Sequence, residues 1–405
     1  MHMYSNITIP GLQGVRVLHT DEREGMVHLQ VAVPRKRSRC PACGTWTRRV
    51  HDYRWQRVQH TAWFERPTVL HYRRRRYACP CGKRFAEANP LVDRYQRHSR
   101  EWNQALGLRL VTGKNFTDTA RQFSTSVTTA LRRFDELASR TLPHVEQLPR
   151  VIAVDEYKGD TSAGKYQLLV ADGATGRPVD ILPDRKKETL KQYLQQKGGQ
   201  VEVVVMDMSA PFHQAARRAL NRPIIVADRF HVHRHVYWAL ERVRRRVQHT
   251  LSSYHRKRCK RLKHVFTKKA EDLTAQQVKI RDYYLAESEE LRTAYELKEA
   301  FRAWFERSKR RMTTGQAGAI RDDLYAFYRQ VEASGCPDMA QAAATVRRWQ
   351  TEILNSFTFD YHNGTVEGLN NQTKVIKRNA FGFQRYDRLR AKVLLHHQYK
   401  WSLAG

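Results

Sequence analysis

The chain has no long apolar run. None approaches the roughly 18–20 residues that span a bilayer, and the first 30 residues carry no charged-then-apolar leader pattern, so neither a membrane span nor export is expected. Acidic residues are also scarce: 40 Asp and Glu stand against 73 Lys and Arg, a net charge of +33 with a pI near 10.3. That imbalance points to a polyanionic partner, nucleic acid first. Cysteine is sparse, with 6 in 405 residues. Four fall in two close pairs while Cys259 and Cys336 stand alone, which argues for a metal site over a disulfide framework. No fixed-period repeat is present. The length suits two to four modules of the usual ~100–200 residues.

Residues 1–95 alternate short β-like runs, "VRVLHT", "MVHLQVAV" and "TVLHYRRRRYAC", with turn residues. Cys40-Pro-Ala-Cys43 and Cys79-Pro-Cys81 lie on two such turns, and Gly44 and Gly82 follow them with the backbone freedom a tight metal loop needs. Four thiolates on two hairpins suit one structural Zn²⁺. His51 and His71 are alternative ligands. Arg73, Arg74, Arg75 and Arg76 adjoin the second pair and are expected to meet phosphates.

From about residue 96 to 148 the pattern is helical. In "NFTDTARQFSTSVTTALRRFDEL" a cap at Thr117 or Asp118, inward Ala120 and Phe123, a turn at Ser124–Ser126, then Val127, Ala130, Leu131 and Phe134 at helical spacing read as a helix-turn-helix. Thr125, Ser126, Thr128, Thr129 and Arg132 are then exposed, and Thr128 and Arg132 are the expected end-specific DNA contacts. An ordinary helical hairpin has the same spacing.

Residues 149–230 change texture to strand, strand, strand, helix, strand, helix, strand, an α/β order with a mixed sheet. Residues 231–355 are almost wholly helical, broken at "MTTGQAG" and "ASGCPD". Their basic run from Arg244 to Lys269, led by Arg244, Arg245 and Arg246, is expected to contact phosphates.

Three of the apolar strands end in aspartate: Asp155, Asp207 and Asp228. Carboxylates at neighbouring strand ends gather at one sheet edge, where hard oxygen ligands hold Mg²⁺, although aspartate also caps the turn after a strand. Glu367 lies in "HNGTVEGLNNQTKVIKRNAFGF" (residues 362–383). A helix from Thr365 to Arg378 puts Val366, Leu369, Thr373 and Ile376 on a buried stripe, with Glu367, Asn370, Asn371, Lys374 and Arg378 on a polar one, where Asn370, Lys374 and Arg378 are expected to contact DNA. Glu367 in the first turn also suits the helix dipole.

The order "VDEY", "KYQLLVADG", "VVVMDM", "VADRFHV" and "NGTVEGLNNQTKVIKRNAFGF" resembles the DDE transposases of bacterial insertion sequences, in particular the ISL-three type. The resemblance covers nearly the whole chain, and the closing motif with Asn363, Gly364, Glu367, Asn370, Lys374 and Arg378 is its most specific part. It implies a cysteine-bearing zinc module, a helix-turn-helix, and an α/β ribonuclease-H-like catalytic domain that resumes at 356–405 after a large all-helical insertion. Asp155, Asp207 and Glu367 are implied as ligands of two Mg²⁺ (or Mn²⁺), with Asp228 and His231 lining the site in a role left open. The 160 positions from Asp207 to Glu367 fit that insertion. The spacer "KGDTSAGKY" matches the family poorly and leaves the surroundings of Lys158 open.

The implied activity is binding of terminal inverted repeats, then Mg²⁺-dependent cleavage and strand transfer, by a homodimer or larger assembly on double-stranded DNA in the bacterial cytoplasm at the nucleoid. A domesticated DNA-binding regulator, or a ribonuclease-H-type nuclease without strand transfer, would carry the same modules.

Overall fold

A computed structural model describes residues 12–312, 316–359, 361 and 364–404. The chain divides into two compact units. One holds the chain through Pro143 with Asn379–Phe381 and the end from Gln398; the other holds His144–Arg378 and Gly382–His397.

In the first unit, β1 (Arg16–Arg23) and β2 (Met26–Ala32) form a hairpin, and β3 (Ser38–Arg39) and β4 (Trp46–Thr47) flank the first cysteine pair. β5 (Val50–Trp63), β6 (Arg66–Ala78) and β7 (Arg84–Ala86) complete a sheet of order β1-β2-β6-β5, with β7 on β6. The three β-like runs of the sequence all become strands. β5 was not among them, although Tyr53, Trp55 and Arg57 alternate with Arg54, Gln56 and Val58, and the two-residue turn at Phe64 and Glu65, both at positive φ, sets it antiparallel to β6. Leu29, Val31, Val58, Leu70 and Tyr72 fill its core.

Three helices follow: α1 (Arg100–Thr112), α2 (Phe116–Gln122) and α3 (Val127–Thr141). The cap of α2 is Asn115, whose side chain accepts from Asp118 N at 2.7 Å, rather than Thr117 or Asp118. Ser126 caps α3. Ala120, Ala130 and Phe134 are buried as expected, whereas Val127 is exposed because it opens α3 on the solvent side.

The second unit is built on β8 (Val151–Thr161), β9 (Gly164–Asp172), β10 (Pro178–Leu182), α4 (Lys187–Lys197), β11 (Val203–Met206), α5 (Ala210–Ala219) and β12 (Ile224–Ala227), the order read from the sequence. The sheet runs β10-β9-β8-β11-β12; β8, β11 and β12 are parallel to one another and β9 is antiparallel to both neighbours. Ile152, Val154, Val204 and Met206 pack on Leu190, Leu194, Phe212 and Ala216 of α4 and α5. By strand alternation Asp155 points to the opposite face.

Among the described residues eight α-helices then follow: α6 (Arg229–Thr250), α7 (Ser253–Arg261), α8 (Lys263–Thr267), α9 (Ala275–Glu287), α10 (Glu289–Met312), α11 (Ala317–Ser334), α12 (Pro337–Arg348) and α13 (Gln350–Thr358). The two predicted breaks separate α10 from α11 and α11 from α12; at the second, Gly335 turns left-handed (φ 64°) and Pro337 opens the next helix. These helices bury their own core around Phe301, Trp304, Phe305 and Phe357. α13 returns to the sheet, where Asn355 Nδ2 donates to the Ile225 carbonyl at 2.8 Å and Arg229 Nε to the Ser356 carbonyl at 2.9 Å, so the β12 edge is covered. α14 (Gly364–Asn379) and α15 (Tyr386–Ala404) close the chain.

Arg244 is a correction to the sequence reading. It is 3 % exposed, held by Glu241 at 2.7 and 2.8 Å, by Gln248 at 3.0 Å and by the Cys259 carbonyl at 2.8 Å. A guanidinium used in this way ties α6 to α7 and has nothing left for a phosphate. Arg244→Ala leaves buried Glu241 with only the exposed Arg245 as cation and removes the tie to α7, and should lower the unfolding free energy by ~3 kcal/mol. Arg256→Ala on exposed α7 should stay within about 0.5 kcal/mol of the parent, as chemical denaturation followed by circular dichroism will show.

Candidate active site and zinc centre

The two cysteine turns close on each other. Cys40 N donates to the Thr45 carbonyl and Cys79 N to the Lys83 carbonyl, and Gly44 (φ 76°) and Gly82 (φ 85°) take the left-handed conformation each turn requires. Cys40 and Cys81 Sγ lie 3.8 Å apart and Cys43 and Cys79 Sγ 3.5 Å apart. A tetrahedron with ~2.3 Å Zn–S bonds has edges of about 3.8 Å, so the four sulfurs fit one Zn²⁺. Among the described residues, these four form the one group of His, Cys, Asp or Glu whose ligand atoms all lie within 4.8 Å. Asp155, Asp207 and Glu367 do not form such a group. His71 is engaged with His28 at 3.0 Å, and neither it nor His51 joins the sulfurs.

The strand-end aspartates do converge. Val205 pairs with Ala153 and Met206 with Ala227, so continuing the parallel register sets Asp207 level with Asp155 on one side and Asp228 on the other. Burial pushes the Asp155 carboxyl up to about 6, and the neighbouring Asp207 charge adds to the rise. Burial likewise raises Asp207, with Glu156 and Asp228 contributing, while His231 opposes it. Asp207 Oδ1 is buried without a hydrogen-bond partner. His231 Nδ1 meets Asp228 Oδ2 at 2.7 Å; that contact raises the imidazole pKa, and its charge favours ionisation of both Asp155 and Asp207.

α14 crosses this edge. Val366, Leu369, Thr373 and Ile376 are buried as the stripe requires. Asn370 is a second correction: it is 2 % exposed, and its Nδ2 donates to Asp155 Oδ2, so it faces the carboxylates and not solvent. Its position four residues after Val366 on the apolar stripe was the available signal. Lys377 Nζ reaches Asp160 at 2.8 Å and the Lys158 carbonyl at 3.3 Å, and Ser162 N donates to the Gln384 carbonyl at 2.7 Å. The β8–β9 bulge, with Asp160 at φ 50°, is therefore what seats α14, which resolves the surroundings of Lys158. Glu367 is exposed and heads an exposed row of Asn371, Lys374 and Arg378. His362 and Asn363 of the motif lie outside the described residues.

Residues 152–393, more than half of the chain, match the transposase family of the ISL3 DDE type. The chain belongs to that family. Residues 36–81 match the zinc-finger of transposase IS204/IS1001/IS1096/IS1165, and residues 87–138 the helix-turn-helix domain of transposase family ISL3. The chain is 27 % identical over 359 residues, 85 % of each sequence, to the transposase for insertion sequence element IS1001 of Bordetella parapertussis. A stretch of 53 residues, 13 % of this chain and 17 % of the other, is 36 % identical to an ATP-dependent protease of Lactococcus lactis subsp. lactis, too short a match to carry function. The protein is thus an ISL3-type DNA transposase with a zinc ribbon and a DNA-binding helix-turn-helix. No helix among the described residues is long and apolar enough to cross a membrane.

The transposase distributes its basic residues unevenly. Arg73 is exposed with its guanidinium 4.1 Å from the Tyr53 ring centroid, while Arg74 donates to the Glu87 carbonyl and Arg76 to Asp52. Arg75 is a third correction, buried against the Glu87 carboxylate at 3.2 Å, because consecutive strand residues cannot all face one partner. Arg245 meets Glu241, and Arg246 meets Glu290 and Asp338. The continuation differs: Arg256, Lys257, Arg258, Lys260 and Arg261 of α7 are exposed, and none has an ion pair among the described residues. Thr128 and Arg132 stand exposed on α3, as do Lys374 and Arg378 on α14.

The zinc ribbon yields a direct prediction. Purified transposase should hold one Zn²⁺ per chain by elemental analysis, and Cys43→Ser should release it and unfold the sheet, since structural zinc supplies much of a small module's stability. A metal-free chain with an intact sheet would contradict this.

Proposed function

We propose that this transposase recognises the terminal inverted repeats of its own insertion sequence and then cuts and joins DNA by metal-assisted phosphoryl transfer at Asp155, Asp207 and Glu367. The carrying observation is the row of strand-end carboxylates with an unpartnered, buried Asp207 Oδ1, overlain by the helix that bears Glu367. A sheet whose first three strands are antiparallel and whose last two run parallel to the first supports a ribonuclease-H-like core. We assign residues 1–95 to the zinc module, 96–148 to the helix-turn-helix, 149–230 and 356–405 to the core, and 231–355 to the insertion.

The donor set suits a hard divalent cation: oxygen atoms only, two of the acids crowded and desolvated, and one oxygen without a proton donor. Asp155, Asp207 and Glu367 would hold Mg²⁺ or Mn²⁺, which when bound activates the attacking oxygen and stabilises the leaving one. The protein's own groups do the positioning. Asn370 holds the Asp155 carboxylate in orientation, and Asp228 fixes the His231 ring so that its charge offsets the burial of Asp155 and Asp207. Glu367, on the exposed side of α14, completes the set as DNA settles along Lys374 and Arg378. Two element ends must be handled together, so the active form is a homodimer or larger on DNA, working at the bacterial nucleoid in the cytoplasm.

Single-turnover reactions of terminal-repeat duplexes with Mg²⁺, with binding measured in Ca²⁺, test this reading. Glu367→Gln, Asp155→Asn and Asp207→Asn should each lose cleavage by orders of magnitude while still binding DNA. Near-parental cleavage by Glu367→Gln would refute the third ligand. Binding without cleavage by the parent protein would indicate a regulator, and cleavage without joining a nuclease.

A further inference from the structure

A cleft of about 580 Å³ in the first unit lies between the sheet and the helix-turn-helix, with Arg57, Gln59, Thr68, Arg97, His98 and Ser124 in its wall. Its size falls in the ~300–1,000 Å³ range of ligand-holding sites. The framework around it is rigidly tied. Gln59 N donates to the Arg97 carbonyl at 2.9 Å, Ser99 N to the Gln59 carbonyl at 2.9 Å, and Gln59 Nε2 to the Phe123 carbonyl at 2.9 Å. His60 Nδ1 meets Ser99 Oγ at 2.8 Å, and the same hydroxyl caps α1. One strand residue thus fastens the zinc-bearing sheet to the turn that precedes α3.

The charge in this cleft is of one sign. No carboxylate lines it, and the Arg57 and Arg97 side chains are exposed with no partner among the described residues. Four of the unit's other arginines are paired with carboxylates, Arg66 with Glu22, Arg75 with Glu87, Arg76 with Asp52 and Arg100 with Asp93. The Thr68 hydroxyl is already donated to the Arg66 carbonyl, and Gln56 and Ser124 are neutral donors suited to phosphate oxygens. The one aromatic ring in the wall, His98, is stacked on Trp102 with centroids 3.9 Å apart, which takes one of its two faces. Ser124 sits two residues before the Ser126 cap of α3, so an occupant lies beside the start of the helix that carries exposed Thr128 and Arg132.

We infer that this cleft holds a backbone phosphate of the same duplex that the helix-turn-helix reads, clamped between Arg57 and Arg97, so that the zinc ribbon and helix-turn-helix bind DNA as one body. Guanidinium groups grip phosphates through paired N–H donors and fix register without reading sequence. The inference rests on the DNA-end reading proposed above but not on its chemistry.

The test compares full-length parent protein with an Arg57→Gln/Arg97→Gln double variant by fluorescence anisotropy. Each binds a terminal-repeat duplex and a scrambled duplex across ~50–200 mM salt in Ca²⁺. The slope of log affinity against log salt should shrink by about 0.9, the loss of one neutralised phosphate, equally on both duplexes, with the preference for the repeat unchanged. Zinc content and unfolding midpoint should match the parent, and Arg57→Lys/Arg97→Lys should keep most of the slope. An unchanged slope, or a loss confined to the repeat duplex, overturns the clamp even if the parent cleaves DNA normally. Competition by an acidic peptide but not by scrambled duplex would overturn it in favour of a protein partner. A parent protein that binds neither duplex overturns the clamp and the DNA-end reading together.

Discussion

Bringing three carboxylates together at the ends of adjacent parallel strands is the constraint around which the second unit is arranged. The register that aligns Asp155, Asp207 and Asp228 follows from packing Ile152, Val154, Val204 and Met206 against α4 and α5. Like charges in a desolvated edge repel, and the structure answers with one amide from α14 and one imidazole from α6. Burial and the Asp207 charge still leave the Asp155 carboxyl pushed up to about 6. The folded protein therefore holds that proton more tightly than the unfolded chain. Its contribution to stability is present at low pH, falls as pH climbs from the ordinary carboxylate range through about 6, and above that leaves an ionised carboxylate that weakens the fold. Such an edge is tolerated where it is used, and the divalent cation proposed above would be the partner of its oxygen donors.

The elements that hold this edge come from distant parts of the chain. Asn370 lies 215 residues beyond Asp155, and Lys377 lies 217 beyond Asp160. α13 returns to β12 through Asn355 and Arg229, so the helical insertion leaves the sheet and rejoins it beside the site. Much of the basic run at the start of that insertion is spent on this architecture. Arg244, Arg245 and Arg246 bind carboxylates within it, and the uncommitted charge lies one helix later on α7.

What the sequence made legible was what depends on local pattern. Aspartates closing apolar strands, the buried stripe at Val366, Leu369, Thr373 and Ile376, and the paired cysteines with a glycine behind each are short-range signals, and the structure uses all of them. What stayed hidden depends on partners far along the chain. Arg75 and Arg244 look like their exposed neighbours until Glu87 and Glu241 are placed beside them. Asn370 reads as one more polar residue of a basic helix until the helix is laid over Asp155. The β5 strand was missed because its charged residues mask a period-two pattern that only pairing with β6 exposes. The Gln59 tie between sheet and helix-turn-helix has no sequence signature at all.

The central claim, that this carboxylate edge is built for a cation, is tested most directly by thermal unfolding at pH 7.5 of the parent and Asp155→Asn, each in EDTA and in Mg²⁺ or Mn²⁺. Removing a carboxylate whose ionisation burial disfavours should make the Asn variant the more stable in EDTA, by ~1–3 kcal/mol. The divalent ion should then raise the midpoint of the parent and leave the variant nearly unmoved. A parent more stable than Asp155→Asn without metal, or equal metal shifts in both proteins, would contradict the account.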